Sequence, residues 1–399
     1  MNCIVAQSGG PTAVINSSLM GVLEGALKSG KFDKIFAGIN GIEGILKENI
    51  KDISTLSEEK REIIKHSPAA ILGSCRFKLK GIQENKEQYE KLFDIFKKYD
   101  IGVFFYIGGN DSMDTVKNLS IYAKKNNIDF RAVGVPKTID NDLEVMDHTP
   151  GFGSAAKFVN TCIMETALDD SVYQGKSVII LETMGREAGW LAASAAAAKL
   201  NGQRIVDHIY VPENPFNDLK FLSTIKEDLT KKDKLYIVVS EGIRYEDGVF
   251  VSHSSINAGH DTFGHAQLGG AGQKLRQMLI DAGIIKRVKC VELNILQRCA
   301  AHVSSSVDVE EAFELGVNAV NFANQGLSGI LPGIIRTCDK PYTYEIKPIE
   351  IEKVANHTKL LPKQWIDSEN DFITEDMVRY VEPLMGGQQA FPIYLDNVK

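Results

Sequence analysis

The sequence of 399 residues contains no apolar run of the roughly 20 residues that a membrane-spanning helix needs. The longest candidate, residues 191–198, is short and rich in alanine. Residues 3–6 read as a β-strand, without the charged and apolar regions of a secretory leader. We therefore expect a cytoplasmic protein that does not associate with membranes.

Cysteine and histidine motifs with metal-binding or disulfide spacing are also absent. The six cysteines form no CxxC spacing, and the eight histidines form no HExxH motif. Without these spacings, neither a disulfide framework nor a zinc site is expected, and the thiols should be reduced.

Basic residues are in deficit. The chain has 45 Lys and Arg against 52 Asp and Glu, a formal net charge of −7. This balance argues against a nucleic-acid partner, which would favour a basic face. An anionic substrate remains possible, but the cations that bind it must be concentrated locally.

The length exceeds what one hydrophobic core usually organises, so we expect two lobes. Strand-like apolar runs alternate with segments of helical spacing, which predicts an α/β fold. An acidic segment near the end, residues 367–376, is interpreted as a solvated connection.

The central stretch is Pro-Lys-Thr-Ile-Asp-Asn-Asp at residues 136–142. It follows an apolar run, residues 131–135, that predicts a buried parallel strand. Asp140 and Asp142 therefore lie at the carboxyl end of a strand, where open α/β sheets bind their ligands. An Asx-rich turn whose carboxylates cap backbone amides would have the same sequence.

Two glycine turns precede this stretch. Residues 8–12, Ser-Gly-Gly-Pro-Thr, follow the first strand, and residues 108–112, Gly-Gly-Asn-Asp-Ser, follow an apolar strand at 101–107. Glycines let backbone amides approach a phosphate, and a helix N-terminus favours an anion. Each turn alone could be an ordinary tight connection, with Ser112 as a helix cap. Together with the 136–142 stretch they predict a phosphate-binding crevice.

Three later strands end in polar groups. A strand at 177–182 leads into Met184-Gly185-Arg186, and one at 235–240 ends at Glu241. The run 288–296 ends at Gln297-Arg298. An arginine at the start of a helix opposes the helix dipole, so it suits an anionic ligand better than the helix itself. Basic residues after Gly73, such as Arg76, could serve an anion or simply be solvated.

Six motifs in order resemble those of the 6-phosphofructokinases: residues 8–10, 73–76, 108–112, 136–142, 184–186 and 297–298. The resemblance covers roughly residues 1–335. It implies two Rossmann-like three-layer α/β lobes with mostly parallel sheets, the phosphofructokinase fold. By the same analogy, residues 1–140 with about 299–340 bind the phosphoryl donor. Residues 141–298 with part of the C-terminal tail bind fructose 6-phosphate.

The resemblance also implies roles for individual side chains. Asp140 would be the general base for the sugar's C1 hydroxyl, supported by Thr138 and Asp142. Lys137, counted with these catalytic residues, would place a cation near the end of the donor. The donor would be bound by Gly9, Gly10, Arg76, Gly109, Asn110, Asp111 and Ser112. Fructose 6-phosphate would be bound by Thr138, Met184, Gly185, Arg186, Glu241, Lys289 and Arg298. Mg²⁺, the implied cofactor, would be held by Asn110, Asp111 and Asp142.

Two positions bear on the donor. ATP-using members resemble Gly-Gly-Asp-Gly-Ser and Pro-Gly-Thr-Ile-Asp-Asn-Asp, whereas this chain has Asp111 and Lys137 at the variable glycines, as pyrophosphate-dependent members do. An aspartate adds bulk and negative charge beside a third phosphate. We therefore expect pyrophosphate as donor, with an ATP-dependent 6-phosphofructokinase as the alternative. A local Asp111–Lys137 salt bridge would leave donor choice to other residues.

Other departures concern the metal and the partners. Asn110 stands where many members carry a metal-binding aspartate, and Lys289 where bacterial ATP enzymes have an arginine from a neighbouring subunit. Family members are homodimers or homotetramers, so we expect a homo-oligomer. A non-catalytic sugar-phosphate-binding subunit would lack the base, yet Asp140, Arg186 and Arg298 are present.

Overall fold

The computed structural model describes residues 1–77, 79–254 and 269–387. The chain forms two compact units. Unit 1 comprises Met1–Ser154 and Arg298–Lys359, and unit 2 comprises Ala155–Gln297 and Leu360–Lys399. No described helix is both long and apolar enough to cross a membrane.

The unit boundaries lie later than the sequence predicted, at 154 instead of 140 and at 359 instead of 340. Residues up to 154 stay with unit 1 because Thr138 pairs with Gly151 and accepts a 2.8 Å hydrogen bond from the Thr149 hydroxyl at its carbonyl. The chain after residue 340 stays because it forms the second strand of a hairpin. Arg298, expected in the second lobe, belongs to unit 1.

The strands in chain order are β1 (Asn2–Gln7), β2 (Ile35–Gly38), β3 (Ile50–Asp52), β4 (Ile101–Gly108), β5 (Arg131–Pro136), β6 (Ser177–Thr183), β7 (Lys199–Leu200), β8 (Gln203–Arg204), β9 (His208–Tyr210), β10 (Lys234–Ser240), β11 (Val288–Glu292), β12 (Ile330–Asp339), β13 (Tyr342–Glu350), β14 (Ile366–Asp367) and β15 (Phe372–Ile373).

The α-helices are α1 (Ile15–Ser29), α2 (Gly41–Leu46), α3 (Glu58–Lys65), α4 (Lys86–Lys98), α5 (Asn110–Lys125), α6 (Phe152–Ser171), α7 (Trp190–Ser194), α8 (Asp218–Lys231), α9 (Ala271–Asp281), α10 (Leu296–Cys299), α11 (Ser306–Asn324) and α12 (Glu375–Val381). Several begin where a Ser or Asn side chain accepts from a first-turn N–H, for example Asn85 from Gln88 and Ser305 from Asp308.

The sheet of unit 1 has the strand order β13-β12-β5-β4-β1-β2-β3. The five strands from β12 to β2 are parallel, and β13 and β3 are antiparallel to their neighbours. The chain moves from β1 outward to β2 and later to β4 on the other side of β1. The carboxyl ends of β1 and β4 therefore lie at a topological switch point, where open sheets bind ligands.

Unit 1 has three layers because its central strands are buried on both faces. Along β1, Cys3 and Val5 pack on the face covered by α1 and α11, whereas Ile4 and Ala6 pack on the face covered by α4 and α5. The strand β4 is buried at every residue. Fully apolar runs are typical of such doubly covered strands.

The sheet of unit 2 is parallel throughout, with the order β11-β6-β10-β9. Helices α8 and α9 cover one face through a core that includes Phe221 and Leu275. The short helix α7 packs against β6, β9 and β10, and α12 packs against α7.

Two sequence predictions in unit 2 were wrong. The segment 367–376 is not a solvated connection, since it contains the hairpin partner β15 and the start of α12, with Phe372 and Ile373 buried. The strand expected over 288–296 ends at Glu292, because Asn294 adopts a left-handed conformation (φ 45°) that turns the chain into α10.

Candidate active site

The first glycine turn of unit 1 is fixed by the loop that carries Arg76. The N–H of Gly9 donates to the Cys75 carbonyl (3.1 Å), and the Ser74 hydroxyl donates to the Gly9 carbonyl (2.6 Å). Gly9 has φ 75°, a conformation that favours glycine. These bonds place the exposed Arg76 beside the end of β1.

Lys137 lies over the same turn. Its ammonium donates to the Gly10 carbonyl (2.5 Å), and the residue is only 3% exposed. Burial lowers the pKa of Lys137 to about 8, against the attraction of Asp140 and Asp142. At neutral pH the side chain is therefore still mainly a cation, held at the end of β5.

Arg298 completes a group of three cations around the turn. A Cβ on Gly10 would lie 2.6 Å from an Arg298 Nη1, so glycine at this position leaves room for the guanidinium. Burial lowers the pKa of Arg298, and the charge of Arg76 lowers it further, while Asp140 raises it. Three cations within reach of one glycine turn form the local positive site that an anionic substrate requires in an acidic protein.

The second glycine turn opens α5. A Cβ on Gly108 would lie 2.0 Å from the Ser112 hydroxyl, so this glycine lets Ser112 pack against the end of β4. The helix begins after Gly109 without a side-chain cap, which means that Ser112 does not serve as the cap. Asp111 lies in the first turn of α5, where a carboxylate suits the helix dipole. An N-terminus without a side-chain cap is suited to a phosphate.

Asn110 is engaged by the backbone of a distant segment. Its Oδ1 accepts from the Asn356 N–H (2.5 Å), and its Nδ2 donates to the His357 carbonyl (2.5 Å). These bonds give Asn110 a structural function in unit 1, in competition with the predicted role as a metal ligand.

Short-range hydrogen bonds fix the backbone of the loop after β5, which carries Asp140 and Asp142. The Asp140 N–H donates to the Thr138 hydroxyl (3.1 Å), and the Thr149 N–H donates to Asn141 Oδ1 (3.1 Å). Asn141 is fully buried with φ 55°. Burial raises the pKa of Asp142, opposed by a hydrogen bond with Thr138. The loop therefore presents Asp140 and Asp142 next to Lys137 in a fixed conformation.

The carboxylates of this loop fit Mg²⁺ that arrives with a phosphate. Mg²⁺ usually takes one or two protein carboxylates and completes its shell with waters and substrate phosphates. Asp142 Oδ1 is buried and has no hydrogen-bond partner within the described ranges. In those ranges, no group of three or more His, Cys, Asp or Glu side chains could hold a metal ion. An unpartnered buried carboxylate oxygen is thus available to a metal that the substrate helps to bind.

In unit 2, the loop after β6 meets the end of β10. A Cβ on Gly242 would lie 2.1 Å from the Arg186 carbonyl, and Ser240 donates its hydroxyl to the Gly185 carbonyl. The Gly185 N–H donates to the Glu241 carboxylate, whose pKa is raised by burial. The structure therefore brings together Gly185, Arg186 and Glu241, three of the residues that the resemblance assigned to fructose 6-phosphate.

The Arg186 side chain is only weakly engaged. Its Nε lies 3.4 Å from Glu187 Oε1 but has no hydrogen-bond partner among the described residues. A buried guanidinium nitrogen that lacks a hydrogen bond favours an added acceptor such as a phosphate oxygen.

Lys289 does not join this group within one chain. It pairs with Ile179 near the beginning of β6, whereas Arg186 follows the other end of that strand. Its ammonium lies 3.1 Å from Asp169 Oδ2. In this chain, Lys289 therefore lies away from the loop that carries Arg186.

Two side chains that hold the loop after β6 in unit 2 were not identified from the sequence. Arg244 donates to the Arg186 carbonyl (3.2 Å) and pairs with Glu187 (2.5 Å). Glu213 accepts from the N–H groups of Gly189 (3.0 Å) and Leu361 (2.9 Å). Both residues lie shortly beyond the carboxyl end of a strand, Glu213 after β9 and Arg244 after β10, and that position could have identified them.

Comparison with known proteins agrees with the motifs. The phosphofructokinase family model matches residues 2–323. Proteins of Methylococcus capsulatus and Halomonas elongata, both named pyrophosphate–fructose 6-phosphate 1-phosphotransferase, are each 40% identical, covering 98% of this chain and 93% of theirs. The crystal structure of a pyrophosphate-dependent phosphofructokinase from Nitrosospira multiformis has a TM-score of 0.86 at 36% identity, covering 99% of this chain and 94% of that one. The chain belongs to the phosphofructokinase family.

Proposed function

We propose that the protein transfers a phosphoryl group from pyrophosphate to the C1 hydroxyl of fructose 6-phosphate. The products are fructose 1,6-bisphosphate and phosphate. The observation that carries the proposal is the position of Lys137, buried over the Gly9-Gly10 turn and next to Asp140. The names of the relatives at 40% identity support the same reaction.

Asp140 is the proposed general base. The bond from its N–H to the Thr138 hydroxyl fixes the turn that presents the carboxylate. A carboxylate in hydrogen-bond reach of the attacking hydroxyl removes its proton as the new O–P bond forms, worth about 10²–10⁴-fold in rate.

Lys137 and Arg76 are the proposed contacts of the pyrophosphate. Arg298, which the resemblance assigned to fructose 6-phosphate, is proposed to contact the pyrophosphate as well, because it lies against Gly10 in unit 1. Phosphoryl transfer depends mainly on positioning and on neutralising charge as it develops. Asp142, with Asp111 at the start of α5, is the proposed site for Mg²⁺. The ion would neutralise phosphate charge and polarise the P–O bond that breaks.

In unit 2, Arg186 is the proposed partner of the sugar phosphate. Its buried Nε provides a donor for a phosphate oxygen. Glu241, held by the Gly185 N–H, is the proposed acceptor for a sugar hydroxyl. Met184 and Gly185 would shape the contact around the ring.

The donor preference is proposed to follow from crowding at the glycine turn. A Cβ on Gly9 would lie 3.3 Å from the Lys137 ammonium, so this side chain fills the space over the turn. A glycine at 137 would leave that space to a nucleotide. Asp111 adds a negative charge at the start of α5 that would repel a third phosphate.

A donor assay tests this proposal. Purified protein is given fructose 6-phosphate and Mg²⁺ with either pyrophosphate or ATP, and fructose 1,6-bisphosphate is measured through coupled aldolase. We expect turnover with pyrophosphate and little with ATP. Efficient use of ATP with none of pyrophosphate would refute the proposed donor, and no turnover with either would refute the proposed reaction.

We further propose that the reaction is reversible, because pyrophosphate and the sugar phosphate lie close in phosphorylation energy. We also propose that it serves glycolysis in the cytoplasm. Incubating fructose 1,6-bisphosphate with phosphate and Mg²⁺ should yield pyrophosphate. Lys289 would contact the sugar phosphate of a neighbouring subunit in a homodimer or homotetramer. Light scattering on the purified protein should give the mass of a dimer or tetramer, and a monomer mass would refute the proposed oligomer.

A further inference from the structure

Residues 354–359, called the linking segment here, follow a 3₁₀ turn after β13 and lie beyond the family match at 2–323. The segment is anchored in the core of unit 1: Val354 is fully buried and Ala355 is 4% exposed, in the same cluster as Met113 of α5. From this anchor it contacts two loops that carry candidate catalytic residues.

One end of the linking segment binds the first turn of α5. Asn356 has φ 66°, a left-handed conformation that asparagine tolerates better than most residues. Its N–H donates to Asn110 Oδ1, and the His357 carbonyl accepts from Asn110 Nδ2. Asn356 Nδ2 also donates to Asp114 Oδ1 (2.9 Å), one turn further along α5.

This pair of bonds requires an amide at position 110. Only a side chain with one acceptor and one donor can bind a backbone N–H and a backbone carbonyl together. An aspartate could accept from Asn356 but could not donate to His357. The asparagine at a position where many family members carry a metal-binding aspartate is thereby explained.

The other end of the linking segment binds the loop of the proposed base. The Lys359 N–H donates to the Asp142 carbonyl (2.9 Å). The Lys359 ammonium donates to the carbonyls of Met146 (3.1 Å) and Asp147. One residue thus fixes the chain at both ends of the stretch 142–147.

The far end of that stretch is itself rigid. The Asp147 carboxylate pairs with Arg336 (3.0 Å) and His148 (2.7 Å), and its N–H donates to the Ile334 carbonyl (2.8 Å) in β12. Lys359 therefore ties the loop of Asp142 to a point that the main sheet holds in place.

We propose that the linking segment is a positioning element, in which Asn110 and Lys359 hold the start of α5 and the Asp140–Asp142 loop in register for phosphoryl transfer. Neither side chain needs to touch the reacting atoms. A displacement of about 1 Å at such a loop can cost about 10²-fold in rate. This inference rests on the proposed function, because it assigns the two loops to the donor and the base.

The test compares Lys359→Met with Lys359→Arg, which keeps a cation able to donate to two carbonyls, and with Lys353→Met as control. Lys353 lies in the adjoining 3₁₀ turn with an exposed ammonium paired only to Glu350 (3.0 Å) among the described residues. We expect kcat to fall about 10–100-fold in Lys359→Met. The arginine should restore most of the activity, and the control should match wild type.

KM separates positioning from general damage. The proposed sugar contacts lie in unit 2, so KM for fructose 6-phosphate should change by less than about threefold while kcat falls. A parallel loss in kcat and melting temperature that Lys359→Arg does not restore would show a merely structural role and overturn the proposal.

Asn110→Asp provides a second, near-isosteric test, which stands even if Lys359→Met does not fold. If the linking segment needs the amide, kcat falls about tenfold or more, and the Mg²⁺ concentration needed for activity does not decrease. If position 110 is a metal ligand instead, the added charge keeps or raises kcat and lowers the Mg²⁺ concentration needed, which would refute the proposal.

The wild-type protein in the same assay distinguishes failure of the proposed function from failure of the positioning element. If it does not turn over pyrophosphate, the proposed function has failed, and the variants are compared with whichever donor is used. If it turns over pyrophosphate and the Lys359→Met and Asn110→Asp variants match it, only the positioning element has failed.

Discussion

Replacing Gly242 with alanine should damage the proposed sugar site through the backbone carbonyls of Gly185 and Arg186, the latter being the nearer. The new Cβ would lie 2.1 Å from the Arg186 carbonyl oxygen and 2.6 Å from its carbon. Both atoms belong to the backbone, so no side chain can rotate away. Because the two groups must separate by about 0.9 Å to reach even 3.0 Å, the chain at Arg186 has to move by nearly that distance.

The size of the effect follows from that displacement. A shift of about 1 Å in a positioning group costs about 10²-fold in rate, and overpacking typically costs about 1–3 kcal/mol of stability. We therefore expect kcat/KM for fructose 6-phosphate to fall about 100-fold in a protein that remains folded. KM for pyrophosphate should hardly change, because its proposed contacts lie in unit 1.

Saturation kinetics with each substrate in turn, with thermal melting of the same samples, measure both quantities. Gly81→Ala is the control, since its Cβ would meet nothing closer than 3.6 Å. Wild-type kcat/KM for fructose 6-phosphate in Gly242→Ala would refute the assignment of Arg186. An equal rise in KM for both substrates would place the damage elsewhere.

Three further outcomes are expected. Asp140→Asn should lower kcat about 10²–10⁴-fold with little change in KM, measured in the coupled assay; wild-type turnover would remove Asp140 as the base. The double variant Asp111→Gly, Lys137→Gly should gain activity with ATP and lose it with pyrophosphate, and unchanged selectivity would contradict the crowding explanation. Burial alone would lower the pKa of His148, but Glu311 and the hydrogen bonds around the ring outweigh it and raise this pKa to about 9. The stability that protonated His148 adds should be complete below about pH 6.5 and lost as pH rises through 9, and melting curves of His148→Gln should lack this loss.

The sequence predicted the ends of β4 and β5 well because the signals there are local. The apolar runs at 101–107 and 131–135 are followed directly by Gly108 and Pro136, and the structure has β4 and β5 there. The contact between Lys137 and Gly10 was not predictable, since 127 residues separate them. It depends on β4 lying between β5 and β1 in the sheet.

Features built from distant segments left no pattern to recognise. The bond between Asn110 and Asn356 joins a helix start to a short irregular stretch, and neither stretch has a periodicity that points to the other. The two buried residues of β15 were not predicted, because the acidic composition of residues 367–376 indicated a solvated connection and only two apolar side chains indicated a strand. The position of Lys289 required the register of β11 against β6, which hydrophobicity alone does not determine.

Arg76 and Lys137 belong to the first segment of unit 1, whereas Arg298 begins its second segment, after the intervening 143 residues of unit 2. A ribosome that has released the first 250 residues has therefore produced the glycine turn and two of its cations but not the third. If the three cations bind pyrophosphate as proposed, such a nascent chain lacks part of the donor site. Donor binding would then stabilise the complete chain more than the nascent one, because a ligand stabilises the state that binds it.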